Sequence, residues 1–413
     1  MASQQELSFL NRFKIFQINR EIIMDGAKYL LIPGLVSAKI IMAWPEDVRS
    51  KSFEILVFVM SFIQCVTIIT SIVLNIVDVN TTIMMISAFE AVLQVVGKFS
   101  ALIIKSKDLD KLIKTVRYEF WPSDITNKDT AEKIRKDSRI LFKIMMIESS
   151  ICIMVVLTIA FGPLLKTGRV LPYPTWYPFD TSASPVYEIV YILQSYFGLH
   201  LSVPPIIAYD MLYYSLCANC TAQFRLLCDA LRCIGNGTED EMITKLVEFD
   251  ESQKELRGTS EQKLLILCIK HHQRLINTAN EISQAFGNGH LVQLMGSASG
   301  ICTACYILTS NPDLSSVANA LVQYIAHVGQ IFIYCAVSNE LSYWSTLVPT
   351  AAYESLWYKK KYPNIRQCLA ILITRSQIAI SMQAFGLFEL NYTSFLSIMR
   401  FTFSLYTFLS SFA

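Results

Sequence analysis

FEILVFVMSFIQCVTIITSIVLNI, residues 53–76, carries a single charge, Glu54, in a run long enough to cross about 30 Å of hydrocarbon. Six further runs share that character, at 82–104, 140–163, 187–215, 290–310, 317–339 and 390–412. Pro204-Pro205 interrupts the fourth and predicts a kink there. Composition agrees: of 413 residues 53% are hydrophobic and 16% charged, against about a quarter charged in an ordinary soluble domain. The mean hydropathy is +0.41. The expected fold is all-α, a seven-transmembrane helical membrane protein.

Lys and Arg in the connections set the orientation. Residues 1–52 carry seven, 105–139 ten, 216–289 eight and 340–389 five, whereas the opposite side holds only Lys166 and Arg169. The amino terminus is therefore expected in the cytoplasm and the carboxyl terminus outside, an inverted seven-span topology. Four regions follow: 1–52, a cytoplasmic amino-terminal region with an interfacial or re-entrant helix near 28–42; 53–352, spans one to six with cytoplasmic helices; 353–389, a cytoplasmic anchor helix; and 390–413, span seven. In the 105–139 connection, Leu109, Leu112, Ile113, Val116 and Phe120 share one helical face, so this connection is expected to pack below the membrane. The polar stretch 235–260 is expected to begin as a loop.

Net charge is +2, which gives no reason to expect a nucleic-acid partner. None of the 11 cysteines falls in a segment expected outside, so no disulfide framework is expected. Cys217-x-x-Cys220 and Cys302-x-x-Cys305 lack a second pair of ligands for zinc. Gly296-Ser297-Ala298-Ser299-Gly300 has alanine where a nucleophile elbow needs serine, and reads better as a small-residue helix contact. No catalytic, metal or cofactor site is expected. A G-protein-coupled receptor would need the ten Lys/Arg of 105–139 outside the cell. A secondary transporter would show repeated hydropathy and paired broken helices, and the sequence has neither. Asn80-Thr81-Thr82 is a glycosylation sequon in a short loop expected outside.

A series of patches carries a family resemblance over nearly the whole chain. They are Ala43-Trp44-Pro45; Leu171-Pro172, Trp176-x-Pro178, Ser184-Pro185-x-Tyr187-Glu188 and Gln194; Cys268-Ile269 with His271-His272; Tyr334-Cys335 and Asn339-Glu340-Leu341; Ser345, Ala351-Ala352-Tyr353 and Trp357; and the terminal Phe403-Ser404-Leu405-Tyr406-Thr407-Phe408-Leu409. With the inverted topology, the chain resembles the insect odorant receptor family. Tyr406-Thr407 reverses the Thr-Tyr of the related gustatory receptors, which leaves a gustatory-type channel as the alternative. The short segment before span five lacks the insertion of the shared co-receptor, so the chain resembles a ligand-tuned subunit. The resemblance implies a tetrameric, odorant-gated, non-selective cation channel in the plasma membrane of sensory-neuron dendrites. It also implies co-receptor subunits as partners, a pore lined by span seven, and a small volatile organic ligand among the outer halves of spans two to six.

Ser394, Ser397, Phe401, Ser404, Phe408 and Ser411 lie on one face of span seven. Around a four-fold axis this stripe alternates hydrated rings with apolar constrictions that gate by dewetting. Ser404, Phe408 and Phe412 are the pore and gate candidates. For a volatile ligand, the apolar and aromatic candidates are Phe89, Ile151, Val155, Tyr191, Tyr196, Ile301 and Tyr324. Ionisable residues within spans are costly and mark function. They include Glu90, Lys98, Glu148, Asp210 and Arg400, with Lys98 and Glu148 at similar depth and expected to pair. The topology predicts that a tag at Met1 is reached by antibody only after permeabilisation, and one after Ala413 without it. Labelling of Met1 on intact cells would contradict the orientation.

Overall fold

A computed structural model describes residues 27–40, 50–74, 79–165, 168–173, 175–250, 257–310, 314–358 and 363–410. In chain order the helices are α1 (Leu31–Ile40), α2 (Lys51–Leu74), α3 (Val79–Ile104), α4 (Ser106–Lys114), α5 (Lys128–Phe161), α6 (Val186–Tyr196), α7 (Val203–Cys233), α8 (Glu239–Phe249), α9 (Ser260–Ser310), α10 (Leu314–Thr346), α11 (Val348–Glu354) and α12 (Pro363–Ser376). A hairpin of β1 (Gln383–Ala384) and β2 (Phe388–Glu389) and a last helix, α13 (Tyr392–Ser410), follow. The expected re-entrant segment corresponds to α1, which packs against α7 with Leu31, Leu35 and Ala38 buried.

The helices wear their apolar side outward. In α2 the inward positions are Val57, Ser61, Gln64, Ile68 and Ser71, spaced as one helical face. Its outward positions include Phe62, 70% exposed. A helix with polar groups inside and large apolar groups outside is at home in lipid, where backbone groups are satisfied within the helix. Five helical segments are long and apolar enough to cross a membrane, among the described residues: Lys51–Leu74, Met85–Ile104, Lys128–Leu164, Ser260–Thr309 and Val317–Glu354. The other two spans are the divided α6–α7 and α13, which is diluted by hydroxyls and Arg400.

The fourth span is divided at the expected place, and by more than the prolines. A π-helical turn over Phe197–Ser202 joins α6 to α7, and Pro204-Pro205 fall in the first turn of α7. Neither proline has an N–H to donate back into the π-helical turn, and the Ser202 hydroxyl donates to its Phe197 carbonyl at 3.0 Å instead. α7 is buried along almost all its length and packs against α1, α3, α5, α9 and α10.

Beyond the spans the connections form a packed layer. Leu109, Leu112, Ile113, Val116 and Phe120 are buried as one face. Trp121 and Gln223 exchange two hydrogen bonds, N–H to Oε1 at 2.9 Å and Nε2 to the Trp121 carbonyl at 2.8 Å. The His271 ring stacks on Trp121 at 3.9 Å. Burial, with Arg274 and His272 alongside, holds His271 well below the usual histidine range, so it stacks as neutral imidazole. Arg225 pairs with Asp137 and Glu340 and lies 4.6 Å over the Trp344 ring.

The 235–260 stretch begins as a turn and loop through 238, as expected, and then enters helix α8 at Glu239, where Met242 and Leu246 have a core to bury in. One expectation for this layer needs correction. The anchor segment 353–389 is not one helix. It holds α12 and then the hairpin, which turns through Phe385 and Gly386. That hairpin docks on α9 through Phe385 N–H to the Gly287 carbonyl at 3.1 Å and Gln383 N–H to Ser283 Oγ at 3.1 Å. Backbone pairing within the hairpin and to a neighbouring helix lets this glycine-containing strip leave the helical state.

α7 and α9 meet where Gly289 faces Tyr209. A Cβ on Gly289 would sit 2.3 Å from the Tyr209 hydroxyl, which itself donates to the Phe286 carbonyl at 2.5 Å. Gly289→Ala is therefore expected to cost about 1–3 kcal/mol by overpacking, read as a lower melting temperature of the purified protein. Gly329→Ala, where nothing lies within 4 Å, should leave it within about 0.5 kcal/mol.

Candidate functional site

A cavity of about 1680 Å³ lies among α3, α5, α7 and α10. Small residues on facing helices open it, with Ala88 and Ala91 on α3 and Ala318, Ala326 and Gly329 on α10. The wall of α5 supplies Ile151, Val155 and Ile159, and the loop after α5 adds Leu171, Pro172 and Tyr173. An apolar chamber with a few convergent polar groups is the usual form of a small-molecule site.

The polar groups gather at Asp210 on α7. Lys98 Nζ on α3 lies 2.7 Å and 3.0 Å from its two carboxylate oxygens. Gln330 on α10 donates to Oδ2 at 2.5 Å, and the Tyr334 hydroxyl donates to Oδ1. Lys98 and Asp210 are 0% and 2% exposed, and the Lys98 ammonium lies 5.6 Å and 5.8 Å from the Tyr209 and Tyr334 ring centres. From Gln330 the network runs to α9: Gln293 donates to Gln330 Oε1 at 2.6 Å and to Ser297 Oγ at 2.5 Å. Beside it on α5, Glu148 accepts from the Tyr214 hydroxyl at 2.9 Å.

The expected Lys98–Glu148 pair is thus corrected. Depth along the two spans is similar, but α7 packs against both α3 and α5 and brings Asp210 to the lysine. Of the seven apolar candidates, Ile151 and Val155 line the cavity. Phe89 and Tyr324 are partly buried against the core, and Ile301 is 2% exposed within it. Tyr191 donates to the Ala160 carbonyl, and Tyr196 is mostly on the surface. Chain position alone could not separate ring packing from cavity lining. Gln330 and Tyr334 carried no charge that would have marked them.

α13 packs on α9 and α10 through Phe395, Ile398 and Met399, with Thr402 buried. Phe401 and Phe408 of the Ser/Phe stripe are 58% and 60% exposed, and Ser404 is exposed beside them. Ser411 and Phe412 lie outside the described residues, as does most of the 1–52 region. On α10, Phe332 meets Tyr392 and Phe395 of α13 with ring centres 6.1 Å and 5.5 Å apart. The helix that grips Asp210 also holds α13.

The model of one family, 7tm Odorant receptor, matches residues 75–403. The chain belongs to that family. Odorant receptor 13a of Drosophila melanogaster is 23% identical over 327 residues, covering 75% of this chain and 74% of that one. Odorant receptor Or1 of Anopheles gambiae is 23% identical over 279 residues, covering 64% and 66%. The fold is similar to that of the olfactory receptor OR5 of Machilis hrabei, with a TM-score of 0.78, 17% identity, and coverage of 92% of this chain and 97% of that one. The same receptor in complex with eugenol matches with a TM-score of 0.75 and 17% identity, covering 94% and 98%. The chain is an odorant-receptor subunit of a ligand-gated channel, and not an enzyme.

Removing one partner of a buried ion pair leaves the other charge uncompensated, at about 3–5 kcal/mol, whereas an apolar replacement of both is near neutral. Asp210→Ala is expected to cut surface expression of this receptor several-fold, and Lys98→Met with Asp210→Leu to restore most of it. Cell-surface labelling checks both. Equal loss in the single and double variants would contradict the pairing.

Proposed function

We propose that the receptor takes a small volatile organic ligand into the cavity between α3, α5, α7 and α10, and that occupancy shifts α10 and thereby α13. The observation that carries this reading is the double role of α10. Gln330 and Tyr334 reach Asp210 at the cavity floor, while Phe332 lies against Tyr392 and Phe395 of α13. A ligand that favours one arrangement of the first contacts biases the second. The similar Machilis receptor is described in complex with eugenol, and a small organic ligand suits the apolar walls here.

In this reading four α13 helices line a cation pore whose exposed Phe401, Ser404 and Phe408 face the axis. The partners are co-receptor subunits, with this chain the ligand-tuned member. The membrane is the plasma membrane of a sensory-neuron dendrite, with the amino terminus in the cytoplasm. The Lys and Arg bias of the connections supports the orientation. The outward stripe on α13 supports the pore.

Ile151→Trp or Val155→Trp should fill the cavity and raise the half-maximal agonist concentration at least about tenfold, or about 1.4 kcal/mol, at normal surface expression. Current recording on a panel of odorants checks this, and unchanged responses throughout would contradict the site. Phe408→Ala should raise the ligand-free current by widening the apolar constriction. An unchanged basal current with unchanged ion selectivity would remove the residue from the gate.

A further inference from the structure

α5 walls the cavity without sealing its edge. Of the five long apolar spans, those of α5 and α10 are the least buried among the described residues, at 17% and 28% of their apolar stretches. Between Met145 and Ala160 no residue of α5 is buried, and between Ala320 and Ile331 none of α10. Every residue from Ile151 to Ile159 except Ile153 borders the cavity. Consecutive residues point all round a helix of 3.6 residues per turn, so the empty volume runs past the flanks of α5 instead of lying against one face.

The two open stretches lie at one depth. Arg225 ties Asp137 of α5 to Glu340 of α10, and outward from that clasp the open stretch begins nine residues along α5 and ten along α10. Ile147, Met154 and Phe161 form one stripe of α5. With Ile325 of α10 they border the cavity, yet they are 60%, 54%, 54% and 50% exposed. Side chains that border a cavity and are also half exposed mark the rim of an opening, and this rim is apolar. The outer end, by contrast, is covered. Leu171, Pro172 and Tyr173 border it, and Gln194 of α6 fastens their loop. It accepts from the Tyr173 N–H at 2.9 Å, and its amide reaches the Tyr173 carbonyl at 3.2 Å and the Tyr177 hydroxyl at 3.0 Å. The Trp176 N–H donates to Ser71 of α2.

We propose that the gap between α5 and α10 is the entrance to the cavity, and that the ligand comes through it from the hydrocarbon of the bilayer rather than from the water above the loop. This rests on the cavity being the ligand site. An apolar rim at membrane depth meets lipid, where an apolar compound is concentrated about fourfold more for each added methylene. The route cannot change occupancy at equilibrium, so it shows in the rates. For entry from lipid, onset at a given aqueous concentration follows the membrane concentration. Release then exchanges one apolar setting for another and depends little on chain length. For entry from water, onset is nearly constant along a homologous series and release slows as the chain lengthens.

The test is rapid solution exchange with current recording, on the full-length receptor with the subunits it needs for surface expression. The probes are straight-chain alcohols and their acetates from butyl to octyl, taking the series that activates the receptor. Onset at equal aqueous concentration should quicken about fourfold per methylene, with washout rates within about twofold of one another. Met154→Trp with Ile325→Trp, which narrows the rim, should slow onset and washout alike several-fold and leave the half-maximal concentration unchanged. Met154→Ala with Ile325→Ala should speed both. Gln194→Ala, which loosens the loop, should change neither rate. Washout that slows about fourfold per methylene at constant onset would overturn the proposal. So would a Gln194→Ala variant that speeds both rates while the tryptophan pair changes neither, which puts the entrance under the loop. A tryptophan pair that raises the half-maximal concentration at unchanged onset would also overturn it, because the rim would then belong to the binding surface. Each of these leaves the cavity in place as the ligand site, whereas full responses at normal rates in Ile151→Trp would overturn cavity and entrance together.

Discussion

Lys98 and Asp210 face each other at 2.7 Å with almost no exposed surface. Isolated, each charge would be costly inside a membrane. Together they are tolerable only if the geometry is good and the remaining oxygens are satisfied, and the Gln330 and Tyr334 side chains meet that requirement. One ion pair therefore fixes the relative positions of α3, α7 and α10. Gln293 extends the same constraint to α9. Few apolar contacts have this directional power, because between helices in lipid there is little hydrophobic drive to choose one rotation over another.

The chamber above the pair follows from that constraint. With α3, α7 and α10 pinned at depth, alanines and Gly329 on their facing sides leave space that α5 closes with aliphatic side chains. The aromatic cluster beneath, Tyr209, Tyr213, Phe286, His290 and Tyr334, has ring centres 4.2–6.0 Å apart and gives the floor a rigid base. The α10–α13 contact lies nearer the bundle surface, where Phe332 meets two rings. In the proposed function this is the contact through which occupancy would displace one helix.

Much of this was legible in the chain. Seven apolar runs and the buried face of Leu109 to Phe120 follow from period and length, signals that survive without knowledge of neighbours. The outward Ser/Phe stripe of α13 followed in the same way. What failed depended on which helix stands between which. Lys98 and Glu148 matched in depth, yet α7 stands against both of their helices, and Asp210 takes the lysine. Aromatic residues were overrated as cavity lining: Tyr191 and Tyr324 are engaged in packing, and the walls are alanine, isoleucine and valine. The uncharged Gln330 gave no signal of its own, Tyr334 was marked only as part of a family patch, and the hairpin after α12 was hidden because its strands are two residues each, too short to show an alternating pattern.

A structure of the assembled receptor with a bound activating odorant tests the account most directly. It should place the ligand between α3, α5, α7 and α10, in contact with Ile151 and Val155. Lys98 and Asp210 should remain paired, and α10 and α13 should have moved together relative to the ligand-free assembly. Ligand density elsewhere in the bundle, or a Lys98 side chain separated from Asp210 in both states, would contradict it.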